Sequence, residues 1–389
     1  NKTEPGIYRT VTGSQALSWG IAAGGELAGL EVVLGSYPIT PASPILHTLS
    51  GMKELGVTTF QAEDEIAAIC AAIGASYAGA LGVTSSSGPG IALKTEALGL
   101  AISTELPVVV INSQRGGPST GLPTKTEQSD LYQAIYGRNG DAPLPVLATR
   151  SPGDCFEVAI EACRLAVKYM TPVMLLTDGF IANAAEPWQL PDLDAFEPFK
   201  VEFAETPAEG ESFNPFKRDE ITHARNWGVP GVKGTEHRIG GIEKSFDTGH
   251  ISYDPDNHQK MTDTRFAKID GIANDIPLQT VEQGEDTGTL AVVGWGSTYG
   301  PISESVKAAR AEGLKVSHIH IKYLNPFPRN LESLLKGFDK VLVPEMNAGQ
   351  LKTVLRDKFL IDAKPLNQVS GLPFKIKDVL AAIRAEISS

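Results

Sequence analysis

Cysteine is scarce in this 389-residue chain: Cys70, Cys155 and Cys163 are the full set, and no two of them form a C-x-x-C pair. That excludes a disulfide framework, a zinc cradle and an iron–sulfur cluster held by this polypeptide alone. Cations are outnumbered, 34 Lys and Arg against 46 Asp and Glu, so with a net charge of −12 a basic surface for nucleic-acid phosphates is not encoded. Long apolar runs are missing too. Gly, Ser or a charge interrupts each one well before the roughly 18 residues of a membrane helix, and no basic stretch leads into an apolar one at the start. G-x-x-x-x-G-K-S/T, H-E-x-x-H and G-x-S-x-G are absent as well, which leaves ATP-driven, zinc-protease and hydrolase chemistry without an anchor. The expectation is a globular cytoplasmic protein that engages neither nucleic acid nor membrane. Because the first residue is Asn1 rather than Met, a further segment is expected upstream.

An apolar content of 42 % is enough to build a core, and at about 150 residues per domain the length predicts two or three units. From about residue 13 to 190, short β-rich runs alternate with small-residue helical stretches, the pattern of a parallel sheet covered on both faces. Strands are expected at Leu30–Leu34, Val57–Phe60, Gly82–Ser85, Pro107–Asn112 and Pro172–Asp178, with helices at Glu65–Ala80, Ala92–Thr104 and Gly153–Tyr169. The pattern fails across 191–288, where Pro, Gly, Asn and Asp are frequent, so this stretch reads as an irregular insertion or linker. His223, His237, His250 and His258 fall there without helical pairing beside a carboxylate, which favours loop packing over a metal site. Alternation resumes at 289–389 and predicts a second, smaller α/β domain after the first at 1–190.

One candidate motif lies in that second domain. Gly294-Trp295-Gly296-Ser297-Thr298-Tyr299-Gly300 follows a strand and precedes a helix, as a dinucleotide fingerprint does. Its spacing is one residue too long, and the next strand ends in Ile321-Lys322-Tyr323 where an acid is wanted. It reads as a tight strand-to-helix turn.

Four loops of the first domain carry more. Gly35-Ser36-Tyr37-Pro38-Ile39-Thr40-Pro41-Ala42-Ser43-Pro44 begins where a parallel strand should end, and its prolines stiffen a loop bearing the Thr40 and Ser43 hydroxyls. Gln61-Ala62-Glu63-Asp64-Glu65-Ile66 sets three acids ahead of a helix of small residues; the helix dipole favours them, and close packing would half-bury one. Ser85-Ser86-Ser87-Gly88-Pro89-Gly90 opens a helix with hydroxyls and backbone N–H groups suited to an anion or carbonyl. Asn112-Ser113-Gln114-Arg115-Gly116-Gly117-Pro118-Ser119-Thr120-Gly121 brings one arginine, which suits a carboxylate equally well on a ligand or in a surface ion pair. All four are expected at one rim of one sheet.

In Tyr37-Pro38-Ile39-Thr40-Pro41, the Glu63-Asp64-Glu65 helix start, Ser86-Ser87-Gly88-Pro89-Gly90 and Gln114-Arg115-Gly116-Gly117-Pro118-Ser119-Thr120-Gly121, the chain resembles the alpha subunit of thiamine-dependent 2-oxoacid:ferredoxin oxidoreductases, most closely the 2-oxoglutarate type. The resemblance implies an α/β chain made of a doubly wound, pyrimidine-type thiamine diphosphate domain followed by a smaller transketolase C-terminal-like domain. It implies that Glu65, with Glu63 as the alternative, bonds N1′ of the aminopyrimidine, where an acid favours the imino form that removes the thiazolium C2 proton without a separate protein base. Tyr37, Pro38, Ser87 and Gly88 would line the cofactor, and Arg115 and Thr40 would hold the 1-carboxylate and keto oxygen of the substrate. Thr124 and Lys125 would add further substrate contacts, with Lys125 and Arg138 as the cations for a distal carboxylate. The family's Gly-Asp-Gly with a downstream Asn is missing; Gly140-Asp141-Ala142 and Thr177-Asp178-Gly179 each lack one glycine. A beta subunit is therefore expected to supply the diphosphate and Mg2+ site and a [4Fe-4S] cluster, and this chain no metal ligand. Coenzyme A as co-substrate, ferredoxin, a gamma domain fused upstream or separate, and pairing of two heterodimers complete what the resemblance implies.

Overall fold

The computed structural model describes residues 4–389. Seven strands form the larger sheet, in the order Tyr323–Asn325, Val146–Ala148, Pro172–Asp178, Val108–Gln114, Leu81–Ser86, Val32–Ser36 and Val57–Gln61. All pair in parallel except the edge strand Tyr323–Asn325, which runs antiparallel to Val146–Ala148. Leu81–Ser86, Val108–Gln114 and Pro172–Asp178 are buried along their whole length, as expected of parallel strands covered on both faces. Five of the parallel strands start apolar and finish polar, whereas Val146–Ala148 is apolar throughout. Register therefore sets Gln61, Ser36, Ser85, Ser86, Asn112, Gln114 and Asp178 along the carboxyl rim, the side on which open α/β sheets bind ligands.

The helix Glu65–Tyr77 lies close on this sheet because its inward side chains are small. Its Ala68 carbonyl occupies the space that a Cβ on Gly35 would need. On the opposite face Gly13–Ala28 opens with a capping box between Thr12 and Gln15 and packs with Asp154–Tyr169. Cys155 and Cys163 belong to this core, where burial drives both thiols far up, and act as small apolar residues; Cys70 is exposed.

A five-stranded sheet follows, in the order Ala363–Asn367, Phe338–Glu345, Gly288–Gly294, Val316–His320 and Val281–Gln283, parallel apart from the last. The two sheets share one core: Val110, Val146 and Met174 of the first belong to the same buried cluster as Ala291, Val293, Trp295 and Ile319 of the second.

The elements differ from the sequence pattern at 88–104 and within the insertion. The expected helix Ala92–Thr104 is two, Gly88–Leu93 and Thr95–Thr104, which meet at Lys94, whose N–H is shared between the Gly90 and Ile91 carbonyls. Within the stretch read as irregular, Pro255–Gly271 is a 17-residue helix capped by Asp254. Only Met261, Lys268 and Ile269 of that helix are buried, so it shows no apolar stripe. The rest of the insertion is tied down rather than free. Trp227 Nε1 donates to the Ser76 carbonyl (3.1 Å), Arg225 Nε donates to the Thr104 carbonyl (3.0 Å), and buried Glu105 pairs with both Arg218 and Lys268. Of the four histidines there, His237 contacts the Thr235 carbonyl and His258 contacts Glu243.

Candidate active site

Of the three acids at the helix start, the structure turns only one inward. Glu63 is exposed, Asp64 caps the helix by accepting the Ala67 N–H at 2.8 Å, and Glu65 is buried. A Cβ added to Gly90 would sit 3.0 Å from Glu65 Oε1 and collide with Ser86 Oγ, so the missing side chain of Gly90 makes the space into which this carboxylate and hydroxyl point. Gly88 and Ser87 stand beside it, also buried.

Polar atoms without partners gather at this rim. Ser86 Oγ, Ser87 Oγ, Ser113 Oγ, Asn112 Oδ1 and Arg115 Nε are buried with no hydrogen bond inside the chain. Buried polar groups are rarely left unpaired, so the cluster marks a surface built for something other than this polypeptide. Arg115 is 6 % exposed; one of its Nη atoms donates to the Thr40 carbonyl at 2.7 Å, which joins the arginine loop to the proline loop and leaves Nε free. The two loops converge again above Gly179, where a Cβ would lie 3.7 to 3.8 Å from the carbonyls of Lys125 and Gln114 and from Pro41 Cγ. Tyr37, Pro38, Thr40, Thr124 and Lys125 are exposed around this opening. Arg138 is not brought to it. Its guanidinium donates to the carbonyls of Ala134, Ile135 and Ala142 at 2.8 to 2.9 Å and closes the end of the helix Leu131–Tyr136, so the expectation that it meets a distal carboxylate is corrected.

Two charged residues that the sequence pattern did not single out belong to the same region. Lys94 is fully buried and donates from Nζ to Thr84 Oγ1 at 2.5 Å; burial pulls its ammonium down to about 8, against the opposing pull of the Glu65 carboxylate. Asp130 accepts from Asn112 Nδ2 at 3.0 Å, and its carboxylate occupies the space beside Gly88, 2.7 and 2.9 Å from where a Cβ would be. Burial pushes it up to about 6; the Asn112 bond opposes this and Glu127 adds to it. Tertiary packing, not a local pattern, places Lys94 and Asp130 here.

The fold and the rim together define a class: a parallel α/β ligand site of the thiamine-enzyme type, with an inward acid at a helix start facing a glycine-made space. Residues 25–251 match the family model for the thiamine diphosphate-binding domain of pyruvate flavodoxin/ferredoxin oxidoreductases, and residues 289–378 match core domain II of pyruvate:ferredoxin oxidoreductase. The chain belongs to this family. It is 56 % identical to the 2-oxoglutarate oxidoreductase subunit KorA of Mycobacterium tuberculosis over 99 % of its own length and 58 % of the relative's. It is 37 % identical to the 2-oxoglutarate synthase subunit KorA of Archaeoglobus fulgidus, over 83 % of this chain and 85 % of that one. Its structure superposes with a TM-score of 0.91 and 35 % identity on the 2-oxoglutarate:ferredoxin oxidoreductase of Magnetococcus marinus with 2-oxoglutarate, coenzyme A and succinyl-CoA bound, covering 100 % of this chain and 66 % of the other. A split-gene transketolase shares the fold at a TM-score of 0.56 and 12 % identity. The chain thus spans somewhat under two thirds of the length of the M. tuberculosis and M. marinus proteins.

Among the described residues, no helix is long and apolar enough to cross a membrane, and no group of three or more His, Cys, Asp or Glu is placed to hold a metal ion.

Proposed function

We propose that this chain is the thiamine-activating alpha subunit of a cytoplasmic 2-oxoglutarate:ferredoxin oxidoreductase, which oxidatively decarboxylates 2-oxoglutarate with coenzyme A to succinyl-CoA and carbon dioxide and passes the electrons to ferredoxin. The observation that carries the reading is Glu65, a buried carboxylate that shares the place beside Gly90 with the unpartnered Ser86 hydroxyl. The 2-oxoglutarate names of the M. tuberculosis and A. fulgidus relatives and the ligands of the M. marinus structure support the choice of substrate.

The residues fit an aminopyrimidine. Such a ring needs an acid at one nitrogen and polar atoms at its edge, and buried Glu65 with the unpartnered Ser86 and Ser87 hydroxyls offers these. Thiamine diphosphate, when bound, supplies the electron sink that lets carbon dioxide leave a 2-oxoacid. The part of Glu65 is to hold and exchange a proton at N1′, which a fixed acid at a helix start can do without losing orientation. Tyr37, Pro38, Ser87 and Gly88 shape the wall of the pocket. Arg115 clamps the substrate's 1-carboxylate through the N–H groups that its bond to Thr40 leaves free, and the Thr40 hydroxyl meets the keto oxygen. Thr124 and exposed Lys125 face the entrance, with Lys125 the cation for the distal carboxylate. A beta subunit holds the diphosphate, Mg2+ and a [4Fe-4S] cluster, and a gamma domain, fused upstream or separate, completes a pair of heterodimers.

Reconstitution tests this. Co-expressed with its beta partner, the chain should yield a complex that contains thiamine, magnesium and iron and reduces ferredoxin with 2-oxoglutarate and coenzyme A. A complex that prefers pyruvate would move the substrate assignment to a broad 2-oxoacid enzyme, and a complex inactive on every 2-oxoacid would leave only a scaffold.

A further inference from the structure

The Gly294-Trp295-Gly296 turn, which in sequence had the setting of a nucleotide loop, is filled by a side chain from the other sheet. Gln128 is fully buried, and its Nε2 donates to the Trp295 carbonyl at 2.7 Å. The same Nε2 lies 2.5 Å from where a Cβ on Gly296 would be, and Gly296 has φ +60, so both space and backbone require glycine there. The other three polar groups of Gln128 are taken by the loop after the strand Phe338–Glu345. Oε1 accepts from Met346 N at 3.1 Å, the backbone N–H donates to the Met346 carbonyl at 3.0 Å, and the backbone carbonyl accepts from Asn347 Nδ2 at 2.8 Å. Gln350 Nε2 adds a bond to the Ser129 carbonyl at 2.7 Å.

The neighbours of Gln128 face the other way. Glu127 Oε2 accepts from Gly117 N at 3.3 Å, Gly116 N donates to the Lys125 carbonyl at 2.9 Å, and Asp130 N donates to Gln114 Oε1 at 3.1 Å. Residues 125–130 are thus a strap, bonded on one side to two rim loops of the smaller sheet and on the other to the turn that carries Arg115. Rim loops are otherwise the mobile part of an α/β fold, and a clamp that is loose before binding must be ordered when the substrate arrives, a cost that falls on affinity.

We propose that Gln128 is a positioning residue, through which the smaller α/β sheet fixes Arg115 and so sets the affinity for the 2-oxoacid carboxylate. This rests on the reading of Arg115 as the carboxylate clamp. It also gives the Gly294-Trp295-Gly296 turn a task in substrate binding that its setting between a strand and a helix did not suggest.

The test uses the assembled alpha–beta complex carrying Gln128→Met, which keeps the volume and removes both side-chain bonds. Glu282→Gln is the control; it takes the charge out of the 2.8 Å Arg150 pair between the two parts of the chain without touching the strap. Hydrogen–deuterium exchange of amides 115–126 should accelerate about tenfold in Gln128→Met while amides 65–77 are unchanged, and the KM for the 2-oxoacid should rise about tenfold with kcat held within about threefold. Glu282→Gln should move neither quantity. If Gln128→Met does not fold, Gln350→Ala, at the edge of the same seam, should give the same two changes in smaller size. Unchanged exchange and KM, or faster exchange spread over both sheets with kcat falling and KM constant, overturns the proposal. If Arg115→Ala leaves KM untouched while the strap amides still respond to Gln128→Met, the failure lies with the Arg115 assignment, not with the strap.

Discussion

Arg115 and Lys94 show how differently two buried cations can serve one site. Arg115 keeps a free N–H and a place at the rim, so Arg115→Ala should raise the KM for the 2-oxoacid by roughly ten- to a hundredfold, the usual loss for a charge-assisted hydrogen bond. Steady-state kinetics with varied 2-oxoglutarate measures it. Lys94 points into the protein, and its folded pKa of about 8 lies below the ordinary 10.5. Between those values the unfolded chain binds more protons than the folded one, so this group makes stability rise as pH climbs from about 8 toward 10.5. Lys244 and Lys268, also pulled to about 8 by burial, act in the same direction. Lys94→Met should therefore flatten only part of the rise, read as the urea midpoint near neutrality against that at about pH 10. At this scale the sequence was legible where a residue's type and its local setting agree. Three acids after a strand and ahead of a helix of small residues marked the place but not which of them turns inward, and Ser86-Ser87-Gly88-Pro89-Gly90 has no apolar use at a strand end. Lys94, Gln128 and Asp130 are placed by tertiary packing that no local pattern reports, and Arg138 is spent on carbonyls at the end of the helix Leu131–Tyr136.

Among the elements, legibility followed burial. Pro172–Asp178 matches its expected bounds because all seven residues are buried and Pro172 and Asp178 close the apolar run at its two ends. The helix Pro255–Gly271 escaped because its capping signal, Asp254-Pro255, precedes a polar segment that rests on the body through few side chains. What fixes it instead is charge. Lys268 from this helix and Arg218 from the loop before it converge on Glu105 at the end of Thr95–Thr104, and they hold the Glu105 carboxyl down at about 2 although burial alone would raise it. Glu105→Gln leaves two buried cations without their acid and should cost about 3–5 kcal/mol in chemical denaturation. Because the folded pKa is depressed, the wild-type contribution is complete above the ordinary value of 4.5 and is lost as pH falls toward 2.

For the whole molecule, local patterns predicted two α/β units but not how they join. Tyr323–Asn325, three residues from beyond the start of the smaller sheet, return to edge the larger one, and a strand that short carries no readable alternation. Around the candidate site Phe60, Ile66, Leu93 and Leu122 are each 49 to 55 % exposed, large apolar side chains beside a polar pocket. Such a surface calls for a cover, and the account assigns it to the beta subunit. Phe60→Lys should abolish co-purification with that subunit while leaving the thermal midpoint of the isolated chain unchanged. The proposed function turns on one residue, Glu65, as the acid that activates thiamine in a complex with a beta subunit. The direct measurement is the exchange rate of the thiamine C2 proton in the assembled complex, wild type against Glu65→Gln, with thiamine content determined in both. The account predicts equal occupancy and a rate lower by at least about a hundredfold in the variant; equal rates at equal occupancy would contradict it.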